Sequence, residues 1–230
     1  MGRIMEDIDI PAVLEQAFKE MINNDYLKKL LCKLDEWLEC SCEQVYHYTL
    51  RYYLDESFPK SVSIKDERTL NQIFINKSVP KKYKKRKVDI YASIHQGETE
   101  AFIEIKMGKM NNINISESNF EKLYSNDLDK LAFIKNEKGK NCRCFLLKIT
   151  HDINNVKGNG KLPDKYRHIN GYELTYEKSY GEKAEILEKI YNEYIVNKFS
   201  NSKFKLKFIA DSKNLENNIF IYHLWEVVEK

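Results

Sequence analysis

Arg86-Lys87-Val88-Asp89-Ile90-Tyr91-Ala92-Ser93-Ile94 and, after a short gap, Ala101-Phe102-Ile103-Glu104-Ile105-Lys106-Met107 decide how this chain is read. Val88, Ile90, Ala92 and Ile94 alternate with Asp89, Tyr91 and Ser93, while Ala101, Ile103, Ile105 and Met107 alternate with Phe102, Glu104 and Lys106. This period of two predicts a pair of strands, each with one apolar face. His95-Gln96-Gly97-Glu98 between them contains the glycine that a tight turn favours, and a two-residue loop at Gln96-Gly97 sets Asp89 opposite Glu104. Like charges directly across a strand pair repel, and Lys106 lies about 7 Å further along its strand. A hard divalent cation would compensate, because Mg²⁺ is commonly held by one or two carboxylates, water and substrate phosphate. The competing reading is a surface hairpin with ordinary solvated acids and lysine, and a one-residue slip of register would move the pairing.

Just upstream, Lys81-Lys82-Tyr83-Lys84-Lys85-Arg86-Lys87 ends two residues before Asp89. A charge run is usually a solvated loop. Here it leads into the paired acids, where a phosphate backbone would need cationic partners, so Lys81, Lys82, Lys84, Lys85, Arg86 and Lys87 are candidate nucleic-acid contacts. Before the run, Ile73-Phe74-Ile75 centres a strand predicted over 72–79, and Pro80 ends it.

The rest of the chain alternates between helical and strand patterns. Residues 1–24 read as an N-terminal arm or lid with one short helix over 12–21. From Tyr26, the spacing of Leu27, Leu30, Leu31, Leu34, Trp37 and Leu38 is helical, and Val45, Tyr48, Thr49 and Tyr52 form a second stripe. Ser118-Asn119-Phe120-Glu121 has capping-box spacing and opens a helix whose buried side is Phe120, Leu123, Tyr124, Leu128, Leu131 and Ile134. Lys130 on this helix is either a phosphate contact or a surface i,i+3 partner of Asp127. A buried strand is predicted over 142–150, a loop-rich stretch over 151–180, a helix over 183–199, and a closing strand pair over 205–210 and 218–225.

With these elements in order, the chain resembles the PD-(D/E)XK, or restriction-endonuclease-like, nucleases. Their pattern is an Asp on one strand, then Glu-x-Lys or Asp-x-Lys on the next; Asp89 and Glu104-Ile105-Lys106 match it, with Val88 where the motif has proline. The resemblance spans residues 43–150 and implies an α/β fold. It consists of an αβββαβ core with a mixed central sheet flanked by helices, extended over 151–230 by a helix and strand pair, within one domain over 1–230. It also implies a metal-dependent nuclease using Mg²⁺, for which Mn²⁺ substitutes. Asp89, Glu104 and the carbonyl of Ile105 would hold the ion, and Lys106 would act on the attacking water. In such nucleases the first core helix often contributes a glutamate, here Glu43; an exposed helical glutamate is the equal alternative. DNA is the favoured substrate and endonuclease action the favoured mode, with a homodimer as a hypothesis for double-strand cutting. The main alternative is a catalytically inactive nucleic-acid-binding or assembly module of the same fold.

Composition sets the outer bounds. The 230 residues, 42% hydrophobic and 32% charged with a net charge of +3, suit one soluble domain; no apolar run reaches membrane-spanning length, and cytoplasmic is the default location. Five cysteines in no familiar zinc spacing are expected to be reduced thiols, and the five histidines are scattered without a metal-binding pair.

Overall fold

The computed structural model describes residues 8–27, 29, 43–75, 77–94, 99–109, 117–151, 168–169, 172–173, 180–197, 199, 201, 203–211 and 220–230. The stripe expected over 27–38 lies largely outside the described residues, as do the Gln96-Gly97 turn and Cys40 and Cys42.

Helix α1 (Ile10–Asn23) starts where the side chain of Asp9 accepts a hydrogen bond from the Ala12 N–H and Pro11 occupies the first turn. A missing N–H costs nothing there. Ile10, Leu14, Ala17, Phe18 and Met21 are buried, and Phe18 meets Tyr222 edge to face at 4.2 Å. Ile10–Asn23 of the segment expected as an arm is therefore a core helix. It packs with α2 (Glu43–Ser57), which buries Leu50 and Leu54.

Strand β1 (Ser63–Thr69) precedes a single helical turn, α3 (Leu70–Ile73). This corrects the strand expected over 72–79. The Thr69 side chain and Gln72 form a reciprocal capping box, which satisfies the orphan N–H groups of a helix start and turns the chain out of the sheet. Phe74 is then buried while Ile75 is 81% exposed.

Strands β2 (Lys87–Ile94) and β3 (Thr99–Lys109) follow as expected. Their antiparallel register pairs Ile90 with Ile103, Tyr91 with Phe102 and Ile94 with Thr99, the register that a loop at Gln96-Gly97 sets. Helix α4 (Glu117–Lys138) begins one residue before the expected capping box and crosses to β4 (Cys142–His151), which pairs parallel to β3. Gly139 ends α4 at a left-handed φ of 72°, and an added Cβ would meet nothing within 4 Å. Gly139→Ala thus carries only backbone strain and is expected to lower stability by about 1 kcal/mol, read as a shift in urea midpoint.

A two-residue ladder, β5 (His168–Ile169) with β6 (Tyr172–Glu173), stands apart from the main sheet. Helix α5 (Tyr180–Tyr191), continued by a π turn over Asn192–Val196, leads to β7 (Phe204–Asp211) and β8 (Phe220–Glu229). The main sheet is ordered β1-β2-β3-β4-β8-β7, so the closing strand pair extends it as expected. Among the described residues of this sheet, only the β3–β4 pair is parallel. One apolar layer joins the sheet to α1 and α2, with Ile90, Ala92, Ile103, Ile105 and Leu147 facing them. Another joins it to α4 and α5, with Phe102, Leu146 and Trp225 facing Leu131, Ile134 and Leu187. Cys142 and Cys144 are buried free thiols. No helix among the described residues is long and apolar enough to cross a membrane.

His223 on β8 is fully buried, with Nε2 3.0 Å from the Ala184 carbonyl. Burial brings its pKa down to about 4, against the pull of that carbonyl and with Lys148 adding to the fall. The unfolded chain takes up this proton near pH 6.5, so the neutral ring's contribution is complete above that pH and is lost as pH falls toward 4. Urea titrations at pH 7 and pH 4.5 are expected to differ by up to about 3 kcal/mol more in the native protein than in His223→Gln. Equal pH dependence in the two would refute this assignment.

Candidate active site

The β2–β3 pairing ends at Ile90 and Ile103, one pair short of Asp89 and Glu104. From there side chains take over main-chain partners. The Asp89 carboxylate accepts the Ile105 N–H at 2.7 Å, and Lys130 of α4 donates to the Lys87 carbonyl at 2.5 Å. Buried backbone groups must find partners somewhere, and here an acid and a lysine supply them.

Glu104 is 1% exposed. Its Oε1 lies 2.7 Å from the Lys130 ammonium. That contact sets a cation directly against the buried carboxylate. Burial pushes the Glu104 carboxyl well above the usual carboxylate range; Lys130 pulls it back, and the negative charges of Asp89 and Asp127 add to the rise. Asp127 bridges two lysines, with Oδ1 3.3 Å from Lys130 and Oδ2 3.2 Å from Lys106. Asp89, Glu104, Lys106, Asp127 and Lys130 therefore form one cluster between β2, β3 and α4. Lys130 is buried, so its pairing with Asp127 is not the surface contact considered from the sequence.

The basic run is fastened to the same helix. Tyr83 is buried, stacks on Phe133 at 4.7 Å, and closes a turn through its N–H to the Pro80 carbonyl. Arg86 donates to both the main-chain carbonyl and the side-chain oxygen of Asn126, at 2.9 and 3.0 Å. The loop is thus anchored one residue from Asp127. Lys82 lies over the Tyr83 ring and Lys87 pairs with Glu67, while Lys81, Lys84 and Lys85 are exposed.

Glu43 is the first residue of α2, one helical turn before His47, and its side chain lies outside the described residues. His47 and Arg51, i and i+4 on that helix, approach one oxygen of Asp66 on β1 at 3.5 and 3.3 Å. Arg51 also donates to the Ile64 carbonyl at 2.9 Å and pairs with Asp55. These contacts hold α2 against the edge strand. Beside Asp66, Glu67 adopts a φ of 46°, in the left-handed region that side chains rarely occupy. Sequence reasoning missed the Asp66 contacts because β1 was not recognised, and treated Asp127 only as a partner of Lys130.

A scan against protein families, a search of curated proteins and a search of solved structures each return no match. The reading of this cluster therefore stands on its chemistry.

Among the described residues no three acidic, histidine or cysteine side chains gather as a metal-binding group. The donor set is narrower: Asp89, Glu104 and nearby main chain, all oxygen donors. That suits a hard divalent ion, which completes its shell with water and phosphate. Glu104 Oε1, already beside an ammonium, marks a position that favours positive charge.

Proposed function

We propose that this protein is a metal-dependent nuclease of the restriction-endonuclease-like type, hydrolysing phosphodiester bonds, with DNA the favoured substrate. The observation that carries this reading is the meeting of Asp89 and Glu104 where β2 and β3 part, with Lys106 two residues beyond Glu104. The order α2, β1, β2, β3, α4, β4, interrupted only by the single turn α3 between β1 and β2, with an antiparallel meander and a parallel fourth strand, supports the same fold type.

Asp89, Glu104 and the Ile105 carbonyl would hold Mg²⁺ or Mn²⁺, with Glu43 a further candidate ligand. Such an ion supplies Lewis acidity toward the scissile phosphate and a nucleophile near neutral pH. The protein's own groups do the rest. Lys106, as an ammonium, orients the attacking water and offsets charge building on the phosphate. Asp127, 3.2 Å away, positions the Lys106 ammonium. Lys81, Lys84 and Lys85 bind flanking phosphates, and Arg86 keeps their loop against α4.

Cleavage should be tested on supercoiled, linear and single-stranded DNA and on RNA, with Mg²⁺, Mn²⁺ or EDTA. Cutting that requires the ion and is lost in Lys106→Ala would support the reading, and the panel would name the substrate. Salt-dependent binding without cutting would favour the inactive binding module instead. Neither binding nor cutting would sink the nucleic-acid reading.

The loop makes a separate prediction. Replacing Lys81, Lys84 and Lys85 together by alanine is expected to weaken binding and to reduce the slope of log K against log salt by about 3, at roughly 0.9 per phosphate contact on duplex DNA. An unchanged slope would remove the loop from the interface.

A further inference from the structure

Lys130 does not sit where a lysine for phosphate would be most useful. Only 4% exposed, its ammonium lies 2.7 Å from Glu104, 3.3 Å from Asp127 and 2.5 Å from the Lys87 carbonyl. Three oxygens from β3, α4 and β2 converge on one cation. Asp127 has a second cation in Lys106, whereas Lys130 is the cation that the described residues provide for Glu104. The cluster holds three acids against two lysines, so a single added charge alters its balance strongly.

We propose that Lys130 is a built-in stand-in cation, occupying the ion position at Glu104 and yielding it when a divalent ion binds. The inference rests on the metal reading above. A divalent ion and an ammonium cannot share one carboxylate oxygen without strong repulsion, because like charges at that separation in a buried site are poorly screened. The lysine has somewhere to go. Asp127 Oδ1 is already within 3.3 Å, and the long, flexible lysine stem allows the ammonium to shift to it. Until an ion arrives, Lys130 keeps a buried carboxylate from standing without a counter-charge, which would be costly. Ion affinity is therefore set partly by an internal competitor, and occupancy of the site is coupled to the position of a residue on α4.

The test is titration of Mn²⁺ into the intact protein, following free Mn²⁺ by its electron paramagnetic resonance signal. Native protein, Lys130→Gln, Lys130→Arg and Asp89→Asn are compared. Lys130→Gln is expected to bind Mn²⁺ about tenfold tighter or more, as removal of one nearby positive charge implies. Lys130→Arg should be no tighter than native, and Asp89→Asn much weaker. Equal or weaker binding by Lys130→Gln would overturn the inference while leaving the metal reading intact. Mn²⁺ binding that ignores Asp89, or is absent from every form, would overturn both.

If Lys130→Gln does not fold, the native protein decides. With lysine side chains labelled with ¹⁵N at Nζ, and the Lys130 signal identified by its loss in Lys130→Arg, added Mg²⁺ is expected to shift that resonance. A resonance unmoved at saturating Mg²⁺ would overturn the proposal.

Discussion

Asp89→Asn is expected to lower ion-dependent cleavage by about 10³-fold or more, equivalent to about 4 kcal/mol of transition-state stabilisation, with little change in fold stability. The asparagine carbonyl can still accept the Ile105 N–H that Asp89 accepts at 2.7 Å, so the splayed end of β2 keeps its anchor. What disappears is the negative charge that an ion needs. Alanine would be a poorer test, because it also removes that hydrogen bond and leaves a main-chain N–H to find another partner. Single-turnover cleavage beside a urea titration separates the two effects. Cleavage within tenfold of native, at normal stability, would assign the chemistry to another site.

Trp225→Ala is expected to destabilise the protein by about 3–5 kcal/mol, the range for truncating a large, fully buried aromatic. Trp225 on β8 is completely buried among Tyr191, Phe208 and His223, with ring centroids 5.9, 6.3 and 5.8 Å away. Its indole N–H has no hydrogen-bond partner among the described residues. Trp225→Phe keeps most of the ring volume and removes that unsatisfied donor, so its cost is expected to stay below about 1.5 kcal/mol. Equal losses for the two substitutions would mean that packing around the ring is not what Trp225 contributes. Any Trp225→Phe protein that folds should retain the activity of the native chain, since β4 separates β8 from the Asp89 cluster.

The approach of Asp89 to Glu104 was legible because the information for it is local. Alternation over Val88–Ile94 and Ala101–Met107, with a loop length between them, determines which side chains share a face and which stand opposite. Helix α4 and strand β4 were legible for similar reasons: a long periodic stripe and a compact apolar run. Strand β1 was not. Its sequence, Ser-Ile-Lys-Asp-Glu-Arg-Thr, has one strongly apolar residue, as suits an edge strand where charge discourages pairing with other chains. The apolar Ile73-Phe74-Ile75 attracted the strand assignment instead, although the Thr69–Gln72 capping box had already turned the chain into a helix.

By itself, then, the sequence determined the alternation and register of the β2–β3 pair, and hence the approach of Asp89 to Glu104. Tertiary structure decided the rest of the cluster. Only the crossing of α4 to a parallel β4 brings Lys130 and Asp127, more than twenty residues downstream of Glu104, onto its carboxylate and Lys106. Only the docking of Tyr83 and Arg86 on that helix fastens the basic loop beside them. Strand periodicity is written in neighbouring residues, whereas the partner of a buried charge depends on which helix the packing of the whole sheet sets against it.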